Sequence, residues 1–361
     1  MKAAVLEAFG SALVVQDRPA PVLGTGEVIV DMVAAPVLPY AGEVFSGERR
    51  YLLETPVVPG AGGIGRVRAL GPDATRLAVG DWVFCDPTVR SRDDALTPDI
   101  TLQGLSAGNA VGGLRLQRFY HDGAYAERML TPTENVTRIP VLESARDAGR
   151  WCVLDSLLVP YGGLMSIAFQ AGETLVVNGA TGKFGSAAVE VALAMGASRI
   201  VATGRNSAVL EELGRRFGPR VRAVAMVGDE EVDRAAIVKA AARPIDCVFD
   251  ILPPQASPSQ VRAAVLAVRP NGRVSLMGGV GFNGGEDLGL PYRWIMRNNI
   301  RIQGQWMCPR ESIPRMIGMV EAGLIDLDHR EVTTFPLVEI NAAVDHAATN
   351  AGPFAMTVVC P

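Results

Sequence analysis

The stretch Thr174–Arg205, TLVVNGATGKFGSAAVEVALAMGASRIVATGR, constrains this chain more than any other. A β-branched run from Thr174 to Val177 meets a cluster of three glycines, Gly179, Gly182 and Gly185. An Ala/Val/Leu/Met segment with helical spacing continues to Met195, and a second apolar run covers Ile200 to Thr203. The periodicity changes from that of a strand to that of a helix and back, with glycines at the first junction. The pattern predicts a βαβ unit.

Spaced glycines alone mean little in a chain with 39 of them among 361 residues. Their context means more, because a strand precedes them, a helix opens on the last, and a return strand follows about twenty residues on. A dinucleotide site needs a tight turn at Gly179, close backbone approach to a pyrophosphate at Gly182, and close helix–strand packing at Gly185. The helix N-terminus then offers unpaired N–H groups and partial positive charge to the phosphates. Thr181, Lys183 and Phe184 complete the turn.

The end of the second strand discriminates between cofactors. An NAD site places a carboxylate there for the ribose hydroxyls, and that carboxylate would repel a 2′-phosphate. Here the residues are Thr203, Gly204, Arg205, Asn206 and Ser207, with no carboxylate before Glu211. Arg205 can pair with a phosphate and its neighbours can donate to it. NADP(H) is the cofactor expected.

The length suggests about two domains. A net charge of −4 gives no reason to expect nucleic acid or an anionic membrane as partner. No apolar run reaches the length of a membrane span, and the opening MKAAVLEAFG, broken by Glu7, lacks a secretory core, so a cytoplasmic location is expected. The five cysteines, Cys85, Cys152, Cys247, Cys308 and Cys360, form no CxxC pair and indicate neither a disulfide framework nor a zinc ribbon.

Residues 1–35 alternate like strands of an antiparallel module, and two more short strands follow around Gly71-Pro72. Residues 88–118 carry little pattern and are expected to form a long surface loop or lobe, with His121 beyond it as a surface loop residue. A helical stretch from Ser144 to about Gln170 is expected to break near Pro160 and Gly162-Gly163. After Arg205, strands alternate with helices, which predicts a doubly wound parallel sheet. Ligands of such sheets lie at the carboxyl ends of the strands, which nominates Ile251-Leu252, Gly278-Gly279-Val280 and Trp306 as further cofactor contacts.

In order along the chain, KAAVLEAFG, PGAGGIGRVRALGPD, VGDWV, GAYAERMLTP, the glycine turn, RPNGRVSLMGG and FPLVEINAAVDH resemble the medium-chain dehydrogenase/reductase superfamily, in its zinc-independent, quinone oxidoreductase-like branch. The resemblance implies an α/β protein. A GroES-like, mostly antiparallel β catalytic domain would comprise 1–144 and 309–361, and a Rossmann domain 145–308.

It also directs attention to what is missing. Zinc-dependent relatives carry a Cys in the segment matching Val37–Ala41, a Gly-His-Glu where this chain has Gly60-Ala61-Gly62, and a third ligand near Tyr161. None of the three places supplies a ligand for tetrahedral zinc, so no metal is expected. Without that Lewis acid, hydride from NADPH suits an acceptor that already delocalises charge, such as an enone or quinone. The oxygen then needs hydrogen-bond donors and a proton. Tyr40, Tyr51 and Tyr161 are the candidate catalytic donors, set against the plainer reading of each as a packed aromatic with a satisfied hydroxyl. The expected partner is a small hydrophobic or conjugated carbonyl substrate, and the family implies a homodimer or homotetramer. A zinc-free alcohol/ketone dehydrogenase and a catalytically inactive nucleotide-binding protein are the alternatives.

Overall fold

The computed structural model describes residues 1–108, 111–282, 284–350 and 352–361. The chain divides into two compact units, residues 1–155 with 327–351 and 355–361, and residues 156–326 with 352–354.

The first unit begins with the antiparallel pair β1 (Lys2–Val5) and β2 (Val14–Asp17), followed by the long strand β3 (Glu27–Val37). Next come α1 (Ala41–Phe45), β4 (Gly63–Leu70), β5 (Trp82–Cys85), β6 (Thr88–Arg90), β7 (Ile100–Leu102), α2 (Val111–Gln117), β8 (Arg128–Pro132), β9 (Val136–Arg138) and α3 (Ala145–Trp151). β3 is central, pairing antiparallel with both β4 and β8, and most of its side chains are buried. The region 88–118 is more ordered than its composition suggests, although residues 109 and 110 lie outside the described ones. β6 and β7 form an antiparallel pair with Thr88 opposite Leu102, and α2 follows. Thr88, Val89, Thr101 and Leu102 are buried, so this short hairpin has a packed face. The polar SRDDALTPD at its tip masks that face in any sequence window.

The second unit begins within α4 (Leu154–Ser166), which runs unbroken through Pro160 and Gly162-Gly163, against expectation. Proline there forfeits one backbone hydrogen bond to Ser156. The glycines have a packing role. A Cβ on Gly163 would meet Met277 Sδ at 2.4 Å and the Phe249 ring at 2.6 Å, so α4 lies closer to the sheet than a larger residue would permit.

The sheet strands are β10 (Thr174–Asn178), β11 (Arg199–Gly204), β12 (Val221–Ala225), β13 (Cys247–Asp250), β14 (Arg273–Leu276) and β15 (Arg301–Gly304). Between them run α5 (Lys183–Ala194), α6 (Ser207–Phe217), α7 (Glu230–Ala241), α8 (Pro258–Val265) and α9 (Tyr292–Arg297), and α10 (Ser312–Glu321) follows the last strand. All six strands are parallel, in the order β12-β11-β10-β13-β14-β15. The connections therefore reverse direction between β10 and β13, and a crevice opens at such a switch point beyond the carboxyl ends of the strands.

The chain then returns to the first unit through β16 (Glu331–Pro336), α11 (Ile340–Thr349) and β17 (Ala355–Cys360). β17 pairs antiparallel with β3 and parallel with β16, completing a seven-stranded antiparallel-dominated sheet. The architecture is a GroES-like antiparallel domain plus a six-stranded parallel Rossmann sheet, the α/β class expected.

Candidate nucleotide site

A pocket of about 290 Å3 lies at the switch point of the second unit. The turn between β10 and α5 forms one wall, and each glycine in it has a distinct physical reason. Gly179 has φ +91°, which L side chains rarely adopt. A Cβ on Gly185 would come within 2.0 Å of the Gly179 carbonyl oxygen, so α5 packs directly on the turn. Gly182 is the N-cap of α5 and provides no side-chain cap, and a Cβ there would meet only the Gly179 carbonyl oxygen, at an ordinary 3.7 Å. The first turn of α5 thus meets the pocket with no capping side chain at its N-cap position.

Of the residues singled out in the sequence, Gly179, Thr181, Gly182, Lys183, Phe184, Gly185, Thr203, Gly204, Arg205, Ile251 and Leu252 line this pocket together. Gly204 is required there, since a Cβ would strike the Thr181 side chain at 2.3 Å. Arg205 is exposed at the end of β11, where no carboxylate stands. Asn206 is spent otherwise, as the N-cap of α6, accepting from the Val209 amide at 3.2 Å.

Gly278, Gly279, Val280 and Trp306 are not among the lining residues. Gly278 and Gly279 instead back the wall, because a Cβ on either would collide with Asp250, Leu252 or Pro254. Val280 packs against the apolar cluster of the sheet, and Trp306 is 47% exposed.

Sequence reasoning missed Asn178, Met226, Pro253, Ala256 and Gln260, which complete the lining. Asn178 was legible as the last strand residue before the glycines. Gln260 carries only a helix-start signal, the capping box it forms with Ser257. Beneath the pocket, buried polar groups at the ends of three neighbouring strands are linked. Thr203 Oγ1 donates to Asn178 Oδ1 at 2.7 Å, and Asn178 Nδ2 donates to Asp250 Oδ1 at 2.7 Å and to the Gln260 carbonyl at 3.2 Å. Burial pushes the Asp250 carboxyl up to about 7, against the hydrogen bonds from Asn178 and the Leu252 amide.

Two of the three candidate tyrosines stand together in the first unit. The Tyr40 and Tyr51 rings meet edge-on with centroids 6.3 Å apart. Arg49, which the sequence did not single out, joins them. Its guanidinium lies 4.0 Å from the Tyr40 ring centroid, its Nε donates to Tyr51 Oη at 3.1 Å, and its Nη1 pairs with Glu43 at 2.8 Å. Burial drives the Tyr40 phenol far above its usual range, so it is neutral and able to donate at physiological pH. Tyr161 belongs to the second unit and is buried on α4.

His121 is half-buried rather than free on a loop, with ring nitrogens 3.0 Å from the Glu54 carbonyl and 3.3 Å from an Asp122 carboxylate oxygen.

The family models that match are the alcohol dehydrogenase GroES-like domain over residues 24–141 and the zinc-binding dehydrogenase model over residues 184–322. Their tandem order matches the two units described above. The chain belongs to the medium-chain dehydrogenase/reductase superfamily.

Within this superfamily it is similar to an alcohol dehydrogenase of Rhizobium meliloti, 31% identical over 54% of this chain and 55% of the relative. That match thus spans about half the relative's length. An alcohol dehydrogenase of Geobacillus stearothermophilus is 25% identical over 96% of this chain and 95% of its own. A Sinorhizobium meliloti structure described as a zinc-binding dehydrogenase bound to NADP has a TM-score of 0.80 at 19% identity, covering 100% of this chain and 99% of that one. An NAD-dependent alcohol dehydrogenase structure has a TM-score of 0.74 at 22% identity, with 100% of both chains covered. At these identities the two structures speak for the fold alone. One matching model is named for zinc-binding dehydrogenases and the other model and both relatives for alcohol dehydrogenases, so the matches do not specify the quinone oxidoreductase-like branch expected from the sequence.

The zinc that such names imply does not fit the side chains present. Among the described residues no three His, Cys, Asp or Glu side chains converge as a metal would require. At Gly62 the obstacle is also steric, since φ is +72° and a Cβ would lie 2.2 Å from the Cys85 carbonyl oxygen.

Proposed function

We propose that this oxidoreductase interconverts an alcohol and its carbonyl compound using NADP(H), without a resident zinc. The observation that carries the cofactor is the pocket at the switch point, with Arg205 standing where an NAD site would carry an acid. The alcohol dehydrogenases to which the chain is similar support the substrate class. The bound nicotinamide would supply or accept the hydride.

The protein's own residues supply the rest. The α5 amides and Lys183 would meet the pyrophosphate, and Arg205 the 2′-phosphate. Tyr40 and Tyr51 are the phenols assigned to proton transfer at the substrate oxygen. Arg49, donating into Tyr51 Oη, would hold the negative charge left when that proton departs. Tyr161 remains a third candidate on α4. The substrate is a small hydrophobic carbonyl compound or alcohol, and the chain works as a homodimer or homotetramer.

A second reading, reduction of an enone or quinone, is favoured by the donor set itself. With no metal-ligating cluster among the described residues to polarise a simple carbonyl, an acceptor that spreads charge onto an enolate or hydroquinone oxygen asks less of the tyrosines.

Oxidation of NADPH is followed with a saturated ketone and with the enone of the same skeleton, alongside metal analysis of the purified protein. Turnover of the ketone with no stoichiometric zinc supports the first reading, whereas turnover of the enone alone selects the second. One zinc per chain surviving chelation would overturn the metal-free assignment. Nucleotide binding without oxidation across a broad panel of both acceptor classes would point to an inactive binding protein.

A further inference from the structure

Asp250 is 3% exposed at the carboxyl end of β13. A buried carboxylate is costly unless a cation or a full set of donors offsets it. Asp250 receives the Asn178 amide from β10 and the Leu252 amide from its own segment, and faces the Cα side of Gly278 after β14. The α8 contribution is the Gln260 carbonyl, which shares the Asn178 amide. None of these groups is charged. The cations of the pocket, Lys183 and Arg205, stand on α5 and after β11 and belong to its lining.

The carboxyl is also coupled to the ligand side. Its hydrogen-bond partner Asn178 lines the pocket, as do Ile251 and Leu252, the next two residues along the chain. Anything that brings phosphate charge into the pocket adds a like charge near an uncompensated buried carboxylate. We propose that Asp250 is a positioning residue of the nucleotide pocket, acting through Asn178, and that occupation of the pocket by a pyrophosphate draws a proton onto its carboxyl. The carboxyl titrates close to neutrality before any ligand binds, so the transfer falls within the working range of pH. Protonation removes the like charge and leaves Asp250 Oδ1 able to accept from Asn178, so the floor of the pocket keeps its shape. This inference rests on the nucleotide-binding reading above.

The test is calorimetric titration of the whole protein with NADPH at about pH 7.5, in PIPES and in Tris, whose ionisation enthalpies differ. The 2′-phosphate titrates near neutrality itself, so the readout is the difference between wild type and Asp250→Asn. Wild type should take up more protons than the variant, up to about three quarters of a proton, the share of carboxyl ionised at that pH beforehand. Its Kd should weaken up to about tenfold more between pH 6 and pH 9. Equal proton uptake in the two proteins would overturn the proposal. If Asp250→Asn does not fold, wild type is titrated with NADH, whose pyrophosphate does not titrate here. Uptake then supports the proposal and its absence overturns it. Binding of neither nucleotide would instead remove the reading on which the proposal depends, and the proposal with it.

Discussion

Gly185 lies so close to Gly179 that a single methyl on its Cα would stand 2.0 Å from the Gly179 carbonyl oxygen. This contact ties the first turn of α5 to the glycine turn and sets where its backbone amides point. Gly185→Ala must push helix and turn apart, an overpacking that costs about 1–3 kcal/mol. Thermal unfolding should show a loss of several degrees, and NADPH binding should weaken by at least about tenfold. An unchanged Kd would mean the turn does not hold the pyrophosphate.

Arg205 is exposed at the mouth of the pocket, so its loss should not unsettle the fold. A charge-assisted pair is worth about 1.5–3 kcal/mol. Arg205→Ala is therefore expected to raise KM for NADPH by roughly ten- to a hundredfold, with KM for NADH nearly unmoved. A preserved preference for NADPH would place the 2′-phosphate elsewhere.

Tyr51 shares its hydroxyl with Arg49, whereas Tyr40 offers the same guanidinium its ring face. If the phenol of Tyr51 delivers the proton, Tyr51→Phe should lower kcat by about 10²- to 10⁴-fold with little change in KM for NADPH. Arg49→Met should reproduce part of that loss and shift the pH profile of kcat. A Tyr51→Phe enzyme with ordinary turnover would pass the role to Tyr40 or Tyr161.

His121 and Asp122 make stability depend on pH. The hydrogen bond to Asp122 raises His121 above its usual value, against partial burial. Burial alone would raise Asp122, but the hydrogen bonds from His121 and the Val58 amide prevail and lower it. The histidine contribution is therefore fully present below the unfolded value of about 6.5 and is lost as pH rises through the higher folded value. The aspartate contribution is present above about pH 4 and is lost as pH falls through the lower folded value. For a partly exposed pair the effect is at most about 1 kcal/mol. Denaturant midpoints at pH 6 and pH 8.5 should differ more in wild type than in His121→Gln. Equal differences would show that the imidazole is not the source.

The nucleotide half was legible because its signals are local. Gly179, Gly182 and Gly185 lie within seven residues of one another, and the residues that would separate NADP from NAD follow directly on the next strand. The hairpin β6–β7 was hidden because its buried faces are three residues long and are separated by a charged tip. The unbroken helix through Pro160 was hidden because the close approach of Gly163 to Phe249 and Met277, contacts about 90 residues and more away in sequence, is invisible along the chain.

By itself the sequence determined the strand–glycine–helix order, the parallel sheet that follows, the absence of an acid beside Arg205, and the missing ligands in Gly60-Ala61-Gly62. Those are properties of residues near one another in the chain, set by backbone sterics and hydrophobic period. Only the tertiary structure decided that Thr203, Asn178 and Asp250 form one buried network under the pocket, and that Arg49 joins Tyr40 and Tyr51. The physical reason is that hydrogen bonding and burial depend on where the ends of separate strands meet. Asp250 is 72 residues from its partner Asn178, and only the pairing of β10 with β13 brings them to 2.7 Å.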